Sequence, residues 1–313
     1  MSEIKFLKIS NHIGMEVTLS TLGASFYRIL INDEDMILTP KDKNLFCHND
    51  KYYGLTIGRI AGRMKNGLLR VDGNTYQLEQ NEGMNSLHGG DHSICYRNWD
   101  YRTFRNKEYI GVNFHLSTND GEAGYNGNAE YYVEYHIYLD SNVIEVLYGA
   151  RCDQDTYFNM TNHAYFNLGN AKDILSHKLL IKADKVSIFD DDFSIKGYRE
   201  VKNPIFDFSK MKEIGKDIND NKLQFGYLHG YDHRFHLTDK TVILKNGKKE
   251  LTIESDFDGL QFYSGGFTNH DELLNGDHDD EYKGAALEPH NIYPEKVKKN
   301  EYYHHKIKYT FKV

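Results

Sequence analysis

Lys306-Ile307-Lys308-Tyr309-Thr310-Phe311-Lys312-Val313 alternates strictly between polar and apolar side chains. A period of two puts Ile307, Tyr309, Phe311 and Val313 on one strand face and the lysines and Thr310 on the other, one packed and one wet. The same reading holds upstream. Met15, Val17 and Leu19 alternate with Glu16, Thr18 and Ser20, and Leu251, Ile253 and Phe257 alternate with Thr252, Glu254 and Asp256. Between such runs lie Asp72-Gly73 and Asn246-Gly247, dipeptides that favour the positive φ angles of tight hairpins. Helical patterning is poor; the best candidate begins near Ser209, as Ser-Lys-Met-Lys-Glu-Ile, and lasts a turn or two. No repeat, low-complexity tract or Pro/Gly/Ser linker interrupts the chain. The expectation is an all-β protein, a large antiparallel sandwich or barrel with very few short helices, forming a single domain over residues 1–313.

Composition narrows the function classes. The 313 residues hold 38 Lys+Arg against 46 Asp+Glu, a net charge of −8 that argues against a polyanion as partner. Hydrophobic residues at 39% and charged residues at 27% read as globular. No stretch approaches the roughly 18 consecutive apolar residues of a membrane span, and the first thirty residues lack a signal-peptide pattern. Cys47, Cys95 and Cys152 are odd in number and far apart, which points to inert thiols in a reducing cytoplasm. The expected state is a monomer or loose homodimer that binds neither nucleic acid nor membrane. Aromatic residues reach 13%, with 24 Tyr, a share that raises strand propensity and suits surfaces both stacked on and hydrogen-bonded.

The familiar dinucleotide, P-loop, hydrolase-elbow and zincin motifs are missing. Asp277, Asp279, Glu281 and Glu288 imitate a calcium loop, but Tyr282 stands where the turn requires Gly. Gly89-Gly90 between His88 and His92 argues against a helical ligand pair. His304-His305 reads as solvent decoration on opposite strand faces.

Two segments suggest chemistry. In Thr161-Asn162-His163-Ala164-Tyr165-Phe166-Asn167-Leu168, read as a strand, Thr161, His163, Tyr165 and Asn167 share a polar, uncharged face, which is either a cleft wall or a satisfied buried histidine. In Gly284-Ala285-Ala286-Leu287-Glu288-Pro289, the carboxylate shares a face with Gly284 and Ala286, an arrangement that leaves room for a ligand beside it. Pro289 holds Glu288 extended. Four weaker segments are Gly58-Arg59-Ile60-Ala61-Gly62-Arg63, with Arg59, Ala61 and Arg63 on one face, Asn85-Ser86-Leu87-His88-Gly89-Gly90, Gly230-Tyr231-Asp232-His233, and Leu260-Gln261-Phe262-Tyr263.

Together with Gly121-Glu122-Ala123-Gly124-Tyr125-Asn126-Gly127, these segments resemble the aldose 1-epimerases (galactose mutarotases), in order and from about residue 10 onward. The resemblance implies the mutarotase-like β-supersandwich and an isomerase that interconverts the α and β anomers of a free hexose, a small-molecule monosaccharide. It implies Glu288 as catalytic base and His163 as catalytic acid, with Arg63, His88, Asp232 and Gln261 holding the sugar. A Glu near its ordinary pKa of ~4.3 and a His near ~6.5 would supply both proton transfers, roughly 10²–10⁴-fold each, without metal or cofactor. Gly62, His290, Asn126 and Asp91-His92-Ser93-Ile94 depart from the family's pattern and leave the preferred sugar open. Two alternatives stand beside this reading. One is a hexose-6-phosphate mutarotase using Arg59, Arg63 and Arg234; the other is a non-catalytic carbohydrate-binding protein of the same fold.

Overall fold

The alternating stretches form strands, except that Asp256 and Phe257 lie past the end of theirs and Val313, expected on the packed face, lies beyond the last strand and is exposed. The computed structural model describes residues 3–225 and 228–313. Four strands build an N-terminal sheet: β1 (Phe6–Ser10), β2 (Met15–Ser20), β3 (Ser25–Ile31) and β4 (Glu34–Asp35). A much larger sheet follows, from β5 (Asp100–Arg105), β6 (Tyr109–Thr118), β7 (Ala129–Tyr138), β8 (Val143–Cys152), β9 (Tyr165–Phe166), β10 (Lys178–Phe189), β11 (Asp232–Asn246), β12 (Lys249–Ser255), β13 (Gly259–Tyr263), β14 (Ala285–Pro289) and β15 (Tyr302–Lys312). Its hydrogen-bonded order is β5-β6-β7-β8-β15-β12-β11-β13-β14-β9, with β10 also paired to β11. Every one of these pairings is antiparallel. The protein is an all-β antiparallel sandwich.

The long strand β11 places the site. Its second half, Thr241–Asn246, pairs with β12, while its first half, Asp232–His236, pairs with β13. A strand that changes neighbours partway makes a corner between sheet layers. The register shifts of β10 along β11, at Ile181/Ala183 and Ala183/Lys185, fall at that corner. Beyond it, β11, β13, β14 and β9 form a short platform whose exposed face is the floor of a cavity.

The apolar faces meet in one main core, with Val17 and Ile29 of the N-terminal sheet packed with Val133, Ile307 and Phe311 of the large sheet. Much of the tyrosine content is spent here. Tyr131, Tyr135, Tyr148, Tyr303 and Tyr309 are fully buried. Phe26 meets Tyr135 edge-on, with ring centroids 4.9 Å apart. Burying a phenol is favourable when its hydroxyl finds a partner. Tyr135 Oη donates to Ala24 O at 2.6 Å, and Tyr303 Oη accepts from the Met160 amide at 2.9 Å.

Both hairpin dipeptides turn the chain. Asp72 and Gly73 have φ of 49° and 84° between paired strands at Leu68–Val71 and Asn74–Gln77. At the second, Asn246 pairs with Lys249, so the loop is Gly247-Lys248 and only Gly247 takes a positive φ, 58°. The helix expected near Ser209 does not form. Lys212–Glu213 is drawn into extended pairing with the start of β10, and a 3₁₀ turn follows at Ile214–Asp217. The one α-helix among the described residues, α1 (Lys43–Cys47), is capped by Asp42, whose carboxylate accepts from Asn44 N at 2.8 Å. His304 is exposed as expected, but His305 is not decoration. It bridges Asp256 and Glu295 at 3.1 and 2.8 Å and stacks on Phe257, centroids 4.2 Å apart. The acidic calcium-loop mimic is a set of ion pairs, Asp279 with buried Lys51 and Asp277 with Lys283. Cys95 and Cys152 are buried, Cys47 is half-buried, and all three are free thiols. No helix among the described residues is long and apolar enough to cross a membrane.

Removing the Tyr303 hydroxyl strands the Met160 amide in the core. Tyr303→Phe is expected to lower the unfolding free energy by about 1–3 kcal/mol, as measured by urea denaturation.

Candidate active site

The platform explains why distant residues converge. On adjacent antiparallel strands, directly opposed residues project to the same face about 4.5–5.5 Å apart. Arg234 of β11 opposes Gln261 of β13, which opposes Glu288 of β14. One step along, Asp232 opposes Tyr263, which opposes Ala286, which opposes Tyr165 of β9. The first row brings an acid, an amide and a guanidinium to one line; the second adds a second acid and two phenols. Loops carrying Tyr52, Gly62–Arg63, Glu82 and His88 face this floor across a cavity of about 220 Å³.

All six residues singled out in the sequence line that cavity. His163 Nε2 lies 3.6 Å from Glu288 Oε1, with the two side chains 6% and 2% exposed. Gln261 Nε2 donates to Asp232 Oδ1 at 2.5 Å. Arg63 grips Glu82 through Nε and Nη2 at 2.6 and 2.8 Å, and reaches Asp232 Oδ2 with Nη1 at 3.3 Å. His88 takes φ of 53° and its Nδ1 accepts from Gly62 N at 3.2 Å, an arrangement that fixes the ring nitrogens. The His88 and His163 rings meet edge-on with centroids 5.4 Å apart.

Other local expectations need correction. The segment 161–168 is not one strand. Thr161–Asn162 pairs with Thr56–Ile57, Tyr165–Phe166 pairs with β14, and the backbone of His163 between them is held by Leu55 O and Gly54 N at 2.9 and 3.0 Å. His163 and Tyr165 face the cavity, but Thr161 and Asn167 do not; Asn167 Nδ2 donates to the carbonyls of Ala171 and Lys283. The small residues before Glu288 make room for protein, not ligand. A Cβ on Gly284 would lie 2.7 Å from Leu38 Cδ1 and 2.9 Å from Tyr165 Cβ.

Arg59 does not share the face of Arg63. Its guanidinium is buried elsewhere, donating to Tyr131 Oη, Asn126 O and Thr156 Oγ1 at 2.8, 2.7 and 3.3 Å. Gly62, at φ of +83°, turns the chain between the two arginines. Two further cavity residues stand outside the expected set: Tyr52, whose ring packs on His88 and His163 at centroid distances of 4.7 and 5.7 Å, and Glu82, which Arg63 grips through two nitrogens. Neither sits in a patterned segment, so no local signal marks it.

Burial governs the electrostatics and reverses the expected ordinary pKa values. Desolvation pushes Glu288 up to about 8; Asp232 adds to the rise, while Arg234 and Arg63 oppose it. Desolvation pulls His163 down to about 4, against a backbone hydrogen bond and Asp232. His88 and His290 are driven well below the usual imidazole range, also chiefly by burial. Between pH 4 and 8 the Glu288–His163 pair therefore holds one proton, resting on the carboxyl. Glu288 Oε2, His163 Nδ1 and His290 Nε2 have no partner among the described residues, leaving unspent hydrogen-bonding capacity around the cavity.

The fold and cavity define a class first. The aldose epimerase homologue of C. elegans superposes with a TM-score of 0.89 at 27% identity, covering 99% of both chains. Galactose 1-epimerase of Lactobacillus acidophilus gives 0.87 at 26%, covering 100% of this chain and 99% of that one. The aldose 1-epimerase of Escherichia coli K12 is 32% identical over 91% of this chain and 85% of its own, and the human galactose mutarotase 31% over 88% and 82%. The family model described as aldose 1-epimerase matches residues 5–310. The chain belongs to the aldose 1-epimerase family, and it is an isomerase of that class.

Among the described residues, one trio has metal-ligating atoms grouped: His88, His163 and Glu288, all within 4.8 Å of one another. Ligands on a tetrahedral zinc at 2.0–2.1 Å sit about 3.4 Å apart, so the trio is looser than a formed site. Prolonged dialysis against a chelator is expected to leave the anomerisation rate unchanged. A rate lost on dialysis and restored by zinc would assign the trio to metal binding instead.

Proposed function

We propose that the protein equilibrates the α and β anomers of a free hexose, with Glu288 and His163 as its acid–base pair. The observation that carries this reading is the 3.6 Å approach of two oppositely shifted titratable groups at the end of a sugar-sized cavity. Ring opening takes a proton from the C1 hydroxyl and delivers one to the ring oxygen as the C1–O5 bond breaks. The aldehyde turns about C1–C2, and closure runs the transfers in reverse. No proton is gained or lost over the cycle, so a pair holding one proton suffices.

With the proton on His163, Glu288 is the base that opens the ring; with it on Glu288, the pair is set for the return. A bound sugar hydroxyl donating to the unpartnered Glu288 Oε2 favours the carboxylate form needed for opening. Arg63, His88, Asp232 and Gln261 would hold the hydroxyls. Arg63 and Gln261 are themselves fixed by Asp232, so their donors are set before the sugar arrives. The placement of Arg59 outside the cavity weighs against the hexose-phosphate alternative, which drew on three arginines. An unneeded acid–base pair buried in the cavity weighs against a pure binder.

Glu288→Gln is expected to lower kcat for freshly dissolved α-D-galactose, followed by polarimetry, by at least about 10³-fold, and His163→Asn by about 10²-fold or more. Wild-type rates in either variant contradict the pairing. The pH dependence follows from the single proton. Below about 4 both groups are protonated and no base remains; above about 8 both are deprotonated and no acid remains. The expected profile of kcat/KM is a bell with limbs near those values, and a limb near the ordinary imidazole pKa contradicts the assignment.

A further inference from the structure

Arg234 is a charged group of the cavity to which the acid–base reading gives no role. It lines the cavity from the far end of the row that runs through Gln261 to Glu288, and only 7% of the residue is exposed. Nη1 donates to Ile292 O at 3.1 Å, the Tyr198 hydroxyl stands beside it, and Nε has no partner among the described residues. No carboxylate among the described residues comes within 4.0 Å of its guanidinium, in contrast to Arg63, which is bound by two. The carboxylates of the cavity are engaged elsewhere: Glu82 and Asp232 are held by Arg63, Asp232 also by Gln261, and Asp50 by Asn269, while Glu288 is protonated at neutral pH. A buried guanidinium that touches no carboxylate, with Nε unpartnered among the described residues, is costly to leave unsatisfied and is a ready donor to an anion that enters the cavity.

Gly62 explains how it gets there. A Cβ at position 62 would lie 2.3 Å from Arg234 Nη2, so any side chain on that residue would displace the guanidinium. The absent side chain on one wall and the long one on the other are a matched pair, and Nη2 occupies the vacated space.

Building on the mutarotase reading, we infer that Arg234 is a substrate-contacting, specificity-determining residue that selects sugars carrying a carboxylate, hexuronates, over the matching neutral hexoses. A hexuronate keeps the C1 hydroxyl and ring oxygen of a hexose and replaces the C6 alcohol with one negative charge. One free guanidinium balances one carboxylate; a phosphate dianion would call for a second cation, and Arg63 is already committed to Glu82 and Asp232.

The experiment compares galacturonate with galactose near pH 6.5. Anomer exchange is measured by NMR and binding by isothermal titration calorimetry on the wild type, Arg234→Gln, Arg234→Lys and Gly62→Asn. The wild type is expected to favour galacturonate by about tenfold or more in kcat/KM and in affinity. Arg234→Gln should erase that preference, mainly through KM. Arg234→Lys should retain part of it, and Gly62→Asn should reproduce the loss with Arg234 intact. Equal or weaker handling of galacturonate by the wild type, or a preference that survives Arg234→Gln, overturns the inference. If galacturonate binds through Arg234 but neither sugar is anomerised, the mutarotase reading fails and this one stands. If galactose is anomerised and galacturonate binds no better, the reverse holds.

Discussion

A carboxyl group that is 2% exposed in the middle of a strand is the constraint on which the site depends. Glu288 lines the cavity from β14, and the loss of hydration on burial raises its pKa to about 8. Burial likewise lowers His163 to about 4. Two groups that in water would titrate in the opposite order are thereby brought to share one proton at neutral pH. The scaffold imposes this through pairing, because a strand buried on both faces cannot let its side chain retreat to solvent. β14 is buried at every residue from Ala285 to Pro289.

The rest of the platform is organised around that carboxyl. Gln261 stands between it and Arg234, and Asp232 ties Gln261 to Arg63, so the polar floor is a connected network rather than a set of separate contacts. Tyr165, Tyr52 and His88 pack around the His163 ring, which is what fixes its Nε2 toward Glu288. The fold supplies the rigidity: β11 spans the corner of the sandwich and carries Asp232 and Arg234 on its cavity half while its other half helps build the main core.

How much of this the sequence discloses depends on the range of the interaction. Strand alternation at residues 306–311 and the hairpin glycines are local properties, and they read through directly to β15 and its neighbours. The six cavity residues were legible as segments in family order. What was hidden is what depends on contact across the chain. Gly284 looked like space for a ligand but makes space for Tyr165 and Leu38. Arg59 and Arg63 looked like neighbours until Gly62 turned the chain between them. The pKa order of Glu288 and His163 is set by burial, which no spacing reveals. Tyr52 and Glu82 carry no pattern of their own, and Lys212–Glu213 is extended only because β10 is there to pair with it.

The central claim is that one proton rests on a buried Glu288 in the sugar-free protein at neutral pH. Infrared difference spectroscopy of the wild type against Glu288→Gln tests it most directly, through the C=O stretch of a protonated carboxyl. The account predicts that this band is present at pH 6, is missing from the variant, and fades as the pH rises through about 8. A band that is already gone at pH 6, with Glu288 titrating in the ordinary carboxylate range of ~4, would contradict it.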